Sequence, residues 1–132
     1  MSVSYGKGSK GKATKLHSEL VRSIGYCENC GSTQNLQAAH IVGRKYSATR
    51  TLICNAYCLC ASCHRRYTDW PRDFSHFITT TPAQKYYDEM AFIAKSNNKV
   101  DWDERLEILK SYKDMRVEDM RERDYQFMRE KY

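Results

Sequence analysis

Along residues 16–24 the apolar positions Leu16, Leu20 and Ile24 fall on one helical face. Thr14 stands where a cap is needed, and Gly25 is placed to stop the helix. Residues 1–13 have no apolar period and are dominated by Gly, Ser and Lys, which predicts a disordered basic arm. The rhythm changes at 36–42, where Leu36, Ala38, His40 and Val42 alternate with Gln37, Ala39 and Ile41 as in a strand, and Gly43 ends it. Residues 43–54 form a loop rich in basic and hydroxyl groups, 56–59 return as a strand, and 61–70 turn polar with helical character that Pro71 stops from extending far. The local order is strand, loop, strand, helix.

Beyond residue 80 the pattern is helical throughout. Thr81, Pro82 and Gln84 make a capped start, with Tyr87, Met90 and Ile93 or Ala94 following at helical spacing. Asp101 with Glu104 makes a second start, followed by a stripe of Trp102, Leu106, Leu109, Tyr112 and Met115. These stripes serve either the core or a second copy of the chain, so a homodimer through the C-terminal helices is open to it. The expected organisation is a basic arm at 1–13, a core at 14–80 and a helical extension at 81–132. The class is α+β, a small core of two strands and a helix flanked by additional helices. Tyr57, Tyr67 and Trp70 read as packing aromatics, and His17 and His76 as surface or core-satisfied histidines.

Composition sharpens this outline. A chain of 132 residues has room for one compact domain. There is no run of apolar residues long enough to span a membrane, and no secretory signal at the N-terminus, so a cytoplasmic location is expected. The net charge of +6 is uneven: residues 40–72 carry six Arg or Lys against Asp69 alone, whereas from residue 83 onward eleven bases meet twelve acids. A positive field around one segment predicts a polyanionic partner.

In a reducing compartment six cysteines point to metal rather than disulfides. Two C-x-x-C pairs, Cys27/Cys30 and Cys60/Cys63, are separated by twenty-nine residues. Each pair brings two sulfurs onto one knuckle, and two knuckles complete a tetrahedral structural Zn2+ site. Cys54 and Cys58 read as small buried thiols. Residues 60–64, CASCH, also satisfy the c-type haem pattern, but haem attachment would leave Cys27 and Cys30 unexplained and the basic surroundings without a role.

The stretches "CENCG", "AAHIVGR", the asparagine at 55 and "CLCASCHRRYTD" together resemble the HNH endonuclease family, the ββα-metal fold in its zinc-stapled form. The likeness runs from Tyr26 to about Phe77, and is to the small HNH proteins common in phage genomes and mobile elements. It implies His40 as general base, Asn55 as the side chain that bridges the loop and orients His40, and His64 as ligand of a catalytic Mg2+, Mn2+ or similar ion. It implies DNA as the partner, with phage packaging or recombination proteins alongside. Arg44 and Arg50 in the loop, and Arg65 and Arg66 opening the helix, are candidates for clamping backbone phosphates. The chemistry agrees with these roles. Phosphodiester hydrolysis needs a deprotonated water and charge neutralisation; a histidine mostly neutral at working pH suits the first and a divalent ion the second.

One position departs from the family pattern. Ala39 stands where many members carry a metal ligand before the first histidine, so an ion at His64 needs another partner, such as Asp69 or His76, or more waters. The competing expectation is a non-catalytic zinc-ribbon module that binds nucleic acid through the same basic face. Such a module needs the cysteines but not His40, Asn55 and His64.

Overall fold

The computed structural model describes residues 7–132. Its order is α1 (Gly8–Arg22), β1 (Leu36–His40), α2 (Ser47–Arg50), a 3-10 turn (Ile53–Asn55), β2 (Ala56–Cys60), α3 (Ala61–Asp69), α4 (Pro71–Thr79), α5 (Gln84–Ala94), α6 (Trp102–Lys110) and α7 (Val117–Lys131). Helices surround one antiparallel ribbon, so the α+β class holds. The ribbon pairs Leu36 with Cys60, Ala38 with Cys58 and His40 with Ala56. Every residue of β2 is buried. Alternation along β1 directs Leu36 and Ala38 into the cluster built with α1 and α6, while Ala39 joins Tyr57, Leu59 and Tyr67 beneath α3 and α4.

Several elements differ from expectation. Helix α1 begins at Gly8, so residues 8–13 are not a disordered arm; residues 1–6 lie outside the described residues. The reason is tertiary. Ala13 is fully buried against the cluster shared with α6, Lys10 lies over the Trp102 ring, and Thr14, instead of capping, turns its hydroxyl to the Lys10 carbonyl. The buried face of α1 is Ala13, Thr14, His17, Leu20 and Val21, rotated from the stripe through Leu16 and Ile24.

Pro71 ends α3 and occupies the first turn of α4, which the pattern did not anticipate. Trp70 sits between the two helices in a non-helical conformation, as the residue before a proline must. There it is 66 % exposed rather than packed, unlike Tyr57 and Tyr67, which are buried. Thr81 is not the cap of α5. Its hydroxyl donates to the Ile78 carbonyl and meets the Tyr57 hydroxyl, and α5 starts at Gln84 without a side-chain cap. Asp101 does cap α6, accepting from the Glu104 amide at 3.1 Å.

Residues 81–132 form no separate appendage. Leu106, Leu109, Tyr112 and Met120 share a core with α1 and β2, while Met90, Tyr125 and Met128 close over Leu52 and Cys54. The apolar stripe of α6 is therefore consumed inside the single chain. No helix among the described residues is long and apolar enough to cross a membrane.

Candidate metal centre and histidine cleft

The four cysteines Cys27, Cys30, Cys60 and Cys63 converge, their sulfurs all within 4.8 Å of one another. Sulfurs bound to one Zn2+ at about 2.3 Å stand at tetrahedral corners about 3.8 Å apart. Cys30 and Cys60 meet that spacing at 3.7 Å. The first knuckle is shaped by Gly31, at φ 80°, whose amide closes onto the Cys27 carbonyl at 2.8 Å. The second places Cys60 at the end of β2 and Cys63 in the first turn of α3. Burial opposes ionisation of Cys27, yet the main-chain amides of Cys30, Cys60 and Asn29 outweigh it and bring the thiol down to about 6. Burial pushes Cys63 up to about 12, with its neighbouring cysteines adding to the rise. A bound dication would favour the thiolate at all four positions. The donor set and spacing fit zinc. Cys54 and Cys58 stay outside the cluster, buried, with thiol pKa values raised first by burial.

The unpaired edge of β1 borders a hollow of about 410 Å³ walled by α1 on one side and α3 on the other. Three of the chain's four histidines, His17, His40 and His64, line it, together with Arg44. A second hollow beside Ala39 is again bounded by both His40 and His64. The two histidines singled out by sequence therefore face common space, brought there from strand and helix.

Each imidazole is fixed by a partner that determines its proton. His40 Nε2 lies 2.9 Å from the Arg50 carbonyl oxygen, and His17 Nε2 lies 3.0 Å from that of Leu52. A carbonyl only accepts, so both rings carry the proton on Nε2 and keep a lone pair on Nδ1. The two rings lie side by side, centroids 5.1 Å apart. His64 Nδ1 is 2.6 Å from Gln37 Oε1, an acceptor, which leaves the lone pair of a neutral His64 on Nε2.

Burial, then the charges of Arg44, Arg50 and His64, outweigh the Arg50 carbonyl bond and lower His40 to about 4. His17 is depressed well below its ordinary value by burial, then by His40. Burial also lowers His64.

Asn55 is fully buried and stitches the loop shut. Its Oδ1 accepts from the Val42 amide at 2.7 Å, and its Nδ2 donates to the carbonyls of Val42 and Thr49 at 3.0 and 2.9 Å. The loop so closed carries Arg44 and leads into Arg50. Among the described residues neither arginine pairs with a carboxylate. Arg50 Nε is buried without a partner, and Arg50 is destabilised as a cation first by burial and then by Arg44. Arg44 on the lining of the hollow and Arg50 behind it put two guanidiniums without carboxylate partners near His40.

The remaining candidates lie elsewhere. Arg65 and Arg66 border a separate hollow with Asp69; Arg66 also pairs with Asp73 and stacks on Tyr67. His76 lines a further hollow beside Arg72. Neither Asp69 nor His76 shares a hollow with His64, and among the described residues the four cysteines are the one group of three or more His, Cys, Asp or Glu that can close on an ion. Sequence reasoning missed Gln37 and the cleft position of His17. The signal for His17 was its i, i+3 and i+4 spacing with Thr14, Leu20 and Val21.

No family model matches the chain, and comparison with curated proteins and with solved structures gives no significant match.

Proposed function

We propose that the protein is a metal-dependent endonuclease of the HNH type, a zinc-stapled ββα-metal nuclease that hydrolyses phosphodiester bonds of DNA. The observation that carries this reading is His40 held neutral in one tautomer, facing the same space as His64 and Arg44, with Arg50 close by and neither arginine paired with a carboxylate among the described residues.

In this reading Arg44 and Arg50 seat the scissile phosphate. Nδ1 of His40 removes a proton from water, which attacks phosphorus in line; the 3' oxygen departs, leaving 5' phosphate and 3' hydroxyl ends. His64 Nε2 would hold a divalent ion, which would supply charge neutralisation at the phosphate and the leaving oxygen. Asn55 maintains the loop from which Arg44 and Arg50 act. The four-cysteine Zn2+ ties the approach to β1 to the start of α3, and so sets the distance between the two walls.

A second reading is favoured by one observation: among the described residues no group of three or more metal-ligating side chains includes His64, and Ala39 offers no ligand before His40. On that reading the fold is a silent zinc module that holds nucleic acid. Supercoiled plasmid incubated with Mg2+, Mn2+, Ni2+ or EDTA separates the two. Nicking that requires the ion and disappears in His40→Ala supports the nuclease, while tight DNA binding without nicking under any ion supports the module.

A further inference from the structure

The backbone from Arg50 to Ile53 is gripped on two sides. The carbonyls of Arg50 and Leu52 accept from His40 and His17. Thr51, between them, is turned to the opposite partner: Arg105 donates from Nη2 to the Thr51 carbonyl at 2.8 Å and from Nε to its hydroxyl at 3.1 Å. The next amide, Ile53 N–H, donates to Asp124 Oδ2 at 2.6 Å. Arg105 and Asp124 in turn form a two-pronged ion pair, Nη2 to Oδ2 at 2.5 Å and Nη1 to Oδ1 at 2.9 Å, and the Tyr112 hydroxyl closes onto Asp124 Oδ1 at 2.5 Å. Arg105 is 2 % exposed and Asp124 not at all.

A buried ion pair adds little net stability, because desolvation consumes most of its attraction and apolar residues of similar size hold helices together as well. This one lies on α6 and α7, outside the cysteine and histidine stretch. Apart from the Tyr112 hydroxyl on Asp124, its hydrogen bonds outside the pair go to the one segment whose carbonyls orient the two imidazoles. Nη2 of Arg105 reaches the Thr51 carbonyl, and Nε reaches the hydroxyl of the same residue.

We propose that Arg105 and Asp124 are positioning residues for His40. They clamp residues 50–53 so that the Arg50 carbonyl holds His40 as the Nε2–H tautomer with Nδ1 bare toward the cleft. His17, fixed by Leu52 on the same segment and lying against the His40 ring, limits how that ring can turn. Arg105 and Asp124 line neither hollow that His40 borders, and so would act through the 50–53 segment. The effect on catalysis rests on the assignment of His40 as base; the effect on its tautomer does not.

The test uses the full zinc-loaded chain, with nitrogen-15 NMR of the imidazoles to read the His40 tautomer and plasmid nicking with Mn2+ to read kcat and KM. The wild type is expected to show one tautomer, protonated at Nε2. In the apolar pair Arg105→Met with Asp124→Leu, the tautomers are expected to mix and kcat to fall roughly ten- to a hundredfold with KM little changed, while zinc content is retained. Arg105→Lys keeps a cation beside Asp124 but lacks the fork for Thr51. It is expected to show the same changes to a smaller degree, and decides the matter should the double variant fail to fold. His17→Phe, which keeps ring volume but cannot donate to Leu52, is expected to loosen the tautomer as well. A folded double variant or Arg105→Lys chain with a single Nε2–H tautomer overturns the proposal. Absence of nicking in the wild type overturns the nuclease reading instead, and leaves the tautomer to decide the positioning role.

Discussion

His40 and Arg50 are joined by a hydrogen bond in which one partner alone can donate. At 2.9 Å the Arg50 carbonyl accepts from Nε2, so the basic lone pair of His40 sits on Nδ1. The same residue that fixes the ring presents, on its side chain, a buried Nε without a partner. On the proposed function, backbone and side chain of Arg50 would serve two requirements of phosphodiester hydrolysis, a fixed base and a cation near the phosphate.

Removing the proposed base is the first test. His40→Ala is expected to lower the plasmid-nicking rate by roughly 10²- to 10⁴-fold, with zinc content and the circular dichroism spectrum retained. His64→Ala is expected to lower it through weaker ion binding, visible as a requirement for higher Mn2+ concentration. Wild-type nicking by His40→Ala would remove His40 from the chemistry.

The cysteines divide into two groups with different consequences. Cys27→Ser is expected to lose zinc and cooperative unfolding together, because a structural site contributes folding free energy. Cys54→Ala and Cys58→Ala, altered at buried thiols outside the cluster, are expected to keep one zinc per chain at the cost of about 1 kcal/mol for the lost packing. Zinc content by elemental analysis and thermal melts check both. A Cys58→Ala chain without zinc would mean that the wrong four sulfurs have been assigned.

Much of the site was legible because metal ligation and strand alternation leave local marks. The C-x-x-C spacing marked the cluster, and the period of two from Leu36 placed His40 opposite Gln37 and Ala39. What was illegible depends on contacts distant in sequence. Whether residues 8–13 are helical is decided by Trp102 and its neighbours on α6, not by their own composition. Arg105 and Asp124 interrupt apolar stripes of α6 and α7, a local oddity whose meaning appears only when Thr51 is found between them. Trp70 was misplaced because an aromatic beside a helix usually packs, whereas Pro71 forces a new helix there and leaves the ring outside.

Asn55 makes its own prediction. Its amide satisfies three buried main-chain groups of a loop that has few other internal bonds. Asn55→Ala is expected to cost about 3 kcal/mol or more, a fall in melting temperature of roughly 10 °C. Asn55→Asp is expected to be at least as damaging, since a carboxylate keeps the acceptor but faces two carbonyl oxygens. Denaturant melts measure both. An Asn55→Ala chain as stable as the wild type would show that the loop holds itself.

The depressed histidines set the pH dependence of stability. His40 has a folded pKa of about 4, and around it stand Arg44, Arg50, His17 and His64, none of them negative. Between the ordinary histidine value and about 4 the unfolded chain binds a proton that the folded chain refuses, so stability rises with pH across that window. The contribution is complete above about 6.5 and is lost as pH falls toward the folded value. At pH 5 the loss from His40 is about 2 kcal/mol, and His17, shifted in the same direction, adds to it. Replacing His40 with glutamine removes one titrating group, and is expected to flatten the fall in stability between pH 7 and 5 relative to wild type. Denaturant titrations at each pH, with zinc content followed in parallel to separate loss of the metal, check this. Equal slopes in the two proteins would mean that His40 titrates as it does in the unfolded chain, and that its imidazole is not held neutral by its surroundings.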